Sequence, residues 1–236
     1  MNTNKLKIIQ QKVAENIYQS EENFPLEYFE LIIGIDLAFL KTKEKEIGLV
    51  CFSIFYPKNQ KITYFWDQDK IKFPYIPGFL AFRELPIINK LYKKLQKNFN
   101  SQTLCLKTLF FVDGHGISHP RKAGIASHFG YLTNTFSVGL AKKLLYGQAL
   151  KSQNNQILPI LPILDPNTKQ IIAFKITSEY LRRKKIMNSN HLIISVGNKL
   201  NLNNALNLFL EIYEKYKIIP TELAHNHLQK IKKEFL

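Results

Sequence analysis

Cysteine is scarce in this sequence. Its 236 residues hold two, Cys51 and Cys105, both in apolar runs far apart, with no CxxC neighbour and no metal-ligand spacing. That argues against a disulfide framework or a zinc site, and it reads both as buried thiols in strands. Long hydrophobic runs are missing too. The uncharged stretch Ile157 to Leu164 is eight residues broken by two prolines, far short of the ~20 residues a bilayer span needs. An integral membrane protein is therefore excluded as a reading. The opening residues MNTNKLKIIQQKVAEN lack the apolar core of a signal peptide, so the expectation is a cytoplasmic chain. Repeats and low-complexity tracts are absent. At 45% hydrophobic and 22% charged residues, the composition is that of an ordinary folded protein.

Acidic residues are few as well: 18 against 33 lysines and arginines, for a formal charge of +15. Arginine is rarer still, with only Arg83, Arg121, Arg182 and Arg183, while asparagine reaches 20. Drift toward A and T codons gives such a Lys/Asn/Ile surplus without selection for binding. The charge alone is weak evidence of function, although a field of that sign attracts polyanions whatever its origin.

Along the chain, Leu6, Ile8, Ile9, Val13 and Ile17 among polar residues predict an amphipathic helix. Three apolar, β-branched runs follow, at Leu31 to Leu40, Ile47 to Tyr56 and Lys61 to Trp66, separated by short polar turns. They predict an antiparallel meander. The prolines and glycine of FPYIPGFL forbid regular structure. Helical spacing returns from Phe82 to Phe99, and Thr108 to Val112 reads as a strand ending at Asp113. Helical patterns are read near Gly124 to Phe129 and Leu140 to Leu145, strands at Ile157 to Leu164, Gln170 to Thr177 and His191 to Val196. Helices over Leu202 to Tyr216 and Thr221 to Glu234 close the chain. The whole fits one mixed α/β domain with helices packed on a central sheet.

Three carboxylates stand out by position. Asp36 interrupts the apolar strand LIIGIDLAF, where an unpaired charge costs several kcal/mol. Asp113 closes TLFFVD at a strand end, the usual place for a site in an α/β sheet. Glu84 opens the helix after FPYIPGFL. Taken singly, Glu84 could complement a helix N-terminus and Asp113 could form a turn. Taken together they make a hard, oxygen-rich site suited to Mg²⁺ or Mn²⁺. Carboxylate-held divalent metals drive phosphodiester hydrolysis by activating water and neutralising charge. An acidic metal site on a basic protein favours a nuclease.

The blocks IIGIDLAF, FPYIPGFLAFRELP, FFVDGHGISHPRKAGIASHFG and VGLAKKLLYG, in that order, resemble the endonuclease V family, with weaker echoes downstream in IISVGNKL and IPTELAH. These are deoxyinosine 3′ endonucleases of ribonuclease H-like fold. The resemblance spans about Gly34 to His225. It implies an α/β, ribonuclease H-like mixed central sheet flanked by helices, with residues 1–236 as a single domain. It makes Asp36, Glu84 and Asp113 the metal ligands for Mg²⁺, with Mn²⁺ as a substitute, and sets Lys142 beside the scissile phosphate. Tyr75 of PYIP becomes a wedge at the extruded base. Gly78, Leu80, Gly114, Gly116 and His119 become lesion-binding positions, and Arg121 contacts either a phosphate or a carboxylate. The implied partner is DNA carrying deoxyinosine or other deaminated bases, or inosine in RNA, met by a monomer. The implied cut is at the second phosphodiester bond 3′ to the lesion, leaving 3′-hydroxyl and 5′-phosphate ends.

One departure is visible. The family's late SxGH motif reads SVGN here, so Asn198 stands where a histidine near the metals is expected. Asparagine has no titratable proton to give or take at neutral pH. If that histidine acts as an acid or base, the sequence predicts a slower or pH-shifted enzyme, or a weakened relative that only binds nucleic acid; if it only orients a water or a ligand, Asn198 suffices. The tract LKSQNNQILPILPILDPNTKQ has no functional reading and is taken as a structural variation.

Overall fold

The apolar runs at the start of the chain form a long antiparallel meander. In the computed structural model, which describes residues 3–41, 46–150, 159–183 and 191–235, these strands are β1 (Leu31–Lys41), β2 (Glu46–Tyr56) and β3 (Lys61–Lys70). Their register pairs Asp36 with Cys51 and Cys51 with Trp66. An N-terminal helix α1 (Thr3–Asn16) precedes them. After them come α2 (Leu80–Leu95), α3 (Ser101–Leu106), β4 (Thr108–Asp113), α4 (Ile125–Thr133) and β5 (Phe136–Ala141). The short β6 (Gln148–Ala149), β7 (Ile160–Leu164), β8 (Ile171–Thr177), α5 (Ser178–Arg183) and β9 (His191–Asn198) complete the sheet. Helices α6 (Leu202–Tyr216) and α7 (Pro220–Glu234) end the chain.

The strands join in one sheet of order β3-β2-β1-β4-β5-β9-β8-β7-β6. Pairs β1–β4 and β4–β5 are parallel and the others antiparallel. Side-chain alternation splits the core between the two faces. Ile32, Leu109 and Phe111 meet Phe209 and Ile212 of α6. Ile33, Ile35, Phe110 and Val112 meet Ile88 and Leu91 of α2 and Phe129 of α4. Helix α7 lies on the β1–β2 pair through Ala224, Leu228 and Ile231 against Ala38, Leu49 and Cys51.

Three expectations are corrected. Leu140 to Leu145 is not helical: β5 runs to Ala141, and all six of its residues are buried. A central strand covered on both faces shows no alternation to read. Cys105 is half-buried in the short helix α3 rather than in a strand, while Cys51 is buried in β2, and both thiols are free. In α1 the buried residues are Gln10 and Val13, whereas Ile8 and Ile9 are exposed. The strand read from Ile157 begins at Ile160 among the described residues, and 151–158 lie outside them. Among the described residues no helix is long and apolar enough to cross a membrane.

Candidate active site

The parallel register of β1 and β4 pairs Ile35 with Val112, which sets Asp36 beside Asp113, one residue further along. Asp36 is buried in mid-strand, 5% exposed. Asp113 ends β4 where Gly114 takes φ +141, a backbone conformation that turns the chain out of the sheet and that glycine adopts without strain. The two carboxyls are close enough to interact directly. Burial raises Asp36. Burial first, and then the charge of Asp36, pushes Asp113 up to about 7, against the opposing pull of Lys142 and His225.

Glu84 reaches the pair from the opposite face. It lies in the second turn of α2, whose first turn holds no acidic residue, so it does not serve as a helix N-terminal charge. Burial and the charges of Asp113 and Asp36 push it up to about 8, with Arg83 opposing. Burial and neighbouring aspartate charge thus raise Glu84 and Asp113, while Asp36 is raised by burial alone. Lys142, exposed just past β5, is the cation whose field reaches both aspartates. Cys51, paired with Asp36 across the strands, has its thiol pushed up to about 12 by burial and by Asp36. That makes it a packing residue and not a nucleophile.

The structure adds His225, on α7, whose Nδ1 is 2.9 Å from Oδ2 of Asp36. The sequence offered it only inside IPTELAH, with no role attached. Asn198 is elsewhere. It pairs with Ser137 near the start of β5, while Asp113 pairs with Leu140, about 10 Å further along at ~3.3 Å per residue. Its amide donates to the carbonyls of Gly130 (3.0 Å) and Thr135 (3.2 Å) and accepts from the Tyr18 N–H (3.0 Å). The histidine near the carboxylates is present, then, and the expectation that Asn198 replaces it is corrected.

A cavity of about 310 Å³ opens between the segment before α2, the loop after β4 and residues Lys143 to Leu145, next in sequence to Lys142. Of the sequence-predicted lesion residues, Tyr75, Gly78, Leu80 and His119 line it, joined by Gln10 and Leu145. Tyr75 stands 67% exposed at its rim. Gly114 and Gly116 are not among the lining residues. A side chain at Gly116 would run into the Val196 carbonyl, so that glycine serves close packing on β9. His119 is buried with both ring nitrogens engaged: Nε2–H donates to the Gly78 carbonyl (3.1 Å) and Nδ1 accepts from the Arg121 N–H (3.1 Å). Arg121 turns neither to an acid nor outward, since its side chain donates to Gln10 and to the Gly78 carbonyl.

The family model for endonuclease V matches residues 11–226. The chain belongs to the endonuclease V family. It is 36% identical over 206 residues to endonuclease V of Thermosipho melanesiensis, covering 87% of this chain and 81% of that one. It is 30% identical over 231 residues to endonuclease V of Bacillus thuringiensis, covering 97% and 92%. Among solved structures, endonuclease V of Bacillus subtilis superposes with a TM-score of 0.79 at 18% identity, covering 100% of this chain and 94% of that one. Endonuclease V of Ciona intestinalis, in complex with a 24mer DNA containing an inosine followed by a ribo-adenosine, gives 0.80 at 20%, covering 99% and 98%. The fold is the family's ribonuclease H-like α/β fold, and membership makes the chain a nuclease.

Proposed function

We propose that this endonuclease V is a divalent-metal-dependent repair enzyme that nicks DNA 3′ to deoxyinosine. The cut we assign is at the second phosphodiester bond, leaving 3′-hydroxyl and 5′-phosphate ends. The observation that carries this reading is the convergence of Asp36, Asp113, Glu84 and His225, with Lys142 alongside. The inosine-containing DNA held by the Ciona relative supports deoxyinosine as the lesion.

The donor set fits Mg²⁺ or Mn²⁺: carboxylate oxygens, mutually repelling, on a site with surplus negative charge. Among the described residues no group of three acids, histidines or cysteines is drawn into a ready metal-binding cluster. Asp36, Asp113 and Glu84 are the residues that would hold the cation, which would supply activation of water and neutralisation of phosphate charge. The remaining work falls to the chain. His225 fixes the Asp36 carboxylate. Lys142 steadies charge on the scissile phosphate. Tyr75 fills the stack as the base leaves, and the cavity beside Gly78 and Leu80 receives it.

The test is a labelled duplex with one deoxyinosine, given Mg²⁺, Mn²⁺ or EDTA, run beside an RNA strand with one inosine. Nicking of the DNA with either metal and none with EDTA is expected, and Asp113→Asn falls to background. Binding without metal-dependent nicking would falsify the enzyme reading. Faster cutting of the RNA strand moves the substrate to inosine in RNA.

A further inference from the structure

We propose that Gln10, in the N-terminal helix, is a positioning residue that holds the Tyr75 wedge in place for base extrusion. The inference rests on the reading of Tyr75 and its cavity given above.

The segment between β3 and α2 that carries Tyr75 has no regular structure of its own, yet it is held at both ends. On one side Arg83 donates to the Phe73 carbonyl (2.6 Å) while pairing with Glu46 (2.6 Å). On the other side the Gly78 carbonyl accepts from three donors: Gln10 Nε2 (2.9 Å), Arg121 Nη2 (2.8 Å) and His119 Nε2 (3.1 Å). Gly78 itself takes φ +76, which suits a turn that aims its carbonyl inward.

Gln10 ties this node together. Its carboxamide oxygen accepts from Arg121 Nε while its nitrogen donates to Gly78, so Arg121 and the wedge segment are locked through one side chain. The guanidinium also lies 4.6 Å over the Phe79 ring. Gln10 is 1% exposed, whereas Ile8 and Ile9 beside it are 52% and 44% exposed. Helix α1 therefore buries an amide in preference to two isoleucines. Burying an amide is costly unless its hydrogen bonds are made, and here the nitrogen donates to Gly78 of the wedge segment while the oxygen accepts from Arg121, which itself donates to Gly78. The same side chain lines the cavity. Tyr75 thus stands between two clamps, one from α2 and one from α1.

A clamp of this kind matters when the wedge must push a paired base out of a duplex. It matters little when the base is already unpaired. The test compares the parent with Gln10→Met, which keeps the length and loses both hydrogen bonds, on deoxyinosine in a duplex and in an unpaired bubble. The expected result is a loss of roughly five- to tenfold on the duplex, the scale of about one net hydrogen bond, and near-parental nicking of the bubble. Because each variant is compared with itself on two substrates, partial unfolding cancels from the ratio. If Gln10→Met does not fold, Gln10→Glu keeps the acceptor for Arg121, loses the donor to Gly78, and is expected to show the same bias. Equal loss on both substrates, or no loss on either, overturns the clamp and leaves the proposed function standing. A parent that nicks neither substrate overturns both.

Discussion

Asn198 and His225 have changed places relative to what their motifs suggest. A motif gives spacing along the chain, and catalytic proximity is set by which strand end a residue occupies. Asn198 ends β9 beside the start of β5, and its three hydrogen bonds go to backbone groups. His225 comes from the last helix, 189 positions after Asp36, and meets it at 2.9 Å. Asn198→His is therefore expected not to raise the nicking rate. Instead it should cost about 1–3 kcal/mol of stability, by leaving buried carbonyls short of a donor. Denaturant unfolding and the single-turnover rate measure the two effects separately, and a faster enzyme of parental stability would sink the assignment. Asp36 was legible because charge inside an apolar strand needs a reason, and Asp113 because it closes one. Gln10 was not, because nothing in IIQQKV shows that an amide faces inward while two isoleucines face out.

At the level of elements, the last two helices were readable almost to their ends, since one-sided burial leaves a period of 3.6, and β1 and β2 were readable, though buried on both faces, because each is a run of about ten apolar, β-branched residues bounded by polar turns. Strand β5 was not, being only six buried residues that run on into the apolar Leu144 and Leu145. Nor was the close seating of α7 on β1, which decides where His225 stands. A Cβ at Gly34 would come within 1.9 Å of the Pro220 carbonyl oxygen, and Ser53 Oγ donates to that same oxygen at 2.7 Å. The start of α7 is thus pressed onto bare backbone two residues before Asp36. Gly34→Ala must push the helix outward, at about 1–3 kcal/mol for an overpacked core. It should also break the His225–Asp36 hydrogen bond. Nicking is expected to drop roughly ten- to a hundredfold, the usual loss when a partner of a metal ligand is removed, while His225→Ala alone drops it by a similar factor and Gly34→Ala in that background adds little. Independent, multiplying losses would show that the glycine acts by some other route.

For the molecule as a whole, surplus positive charge and buried histidines pull in the same direction as the pH falls. A formal charge of +15 at pH 7 already repels itself, and acid adds to it. His119 and His128 are each 3% exposed, and burial holds both well below the ordinary 6.5, down to about 4. The unfolded chain takes up these protons near pH 6.5 and the folded chain only near 4, so the unfolded state binds more protons between those values. Their contribution to stability is complete above 6.5 and is lost as the pH falls toward 4. The slope is about 1.4 kcal/mol per pH unit for each full proton. His128 gives the cleaner test, because its Nε2 has no hydrogen-bond partner among the described residues and its ring packs edge-on to Phe82 at 5.3 Å. A phenylalanine there removes the titrating group and keeps the ring contact. Urea unfolding of the parent and of His128→Phe at steps from pH 7 to pH 4.5 should give curves that separate steadily on the acid side, with the variant the flatter by close to one proton. Parallel curves would mean that His128 is protonated in the folded protein as readily as in the unfolded chain. The acid sensitivity would then belong to the other histidines that burial holds low, His119 and His115, and to the net charge, of which only the last is screened by raising the salt concentration.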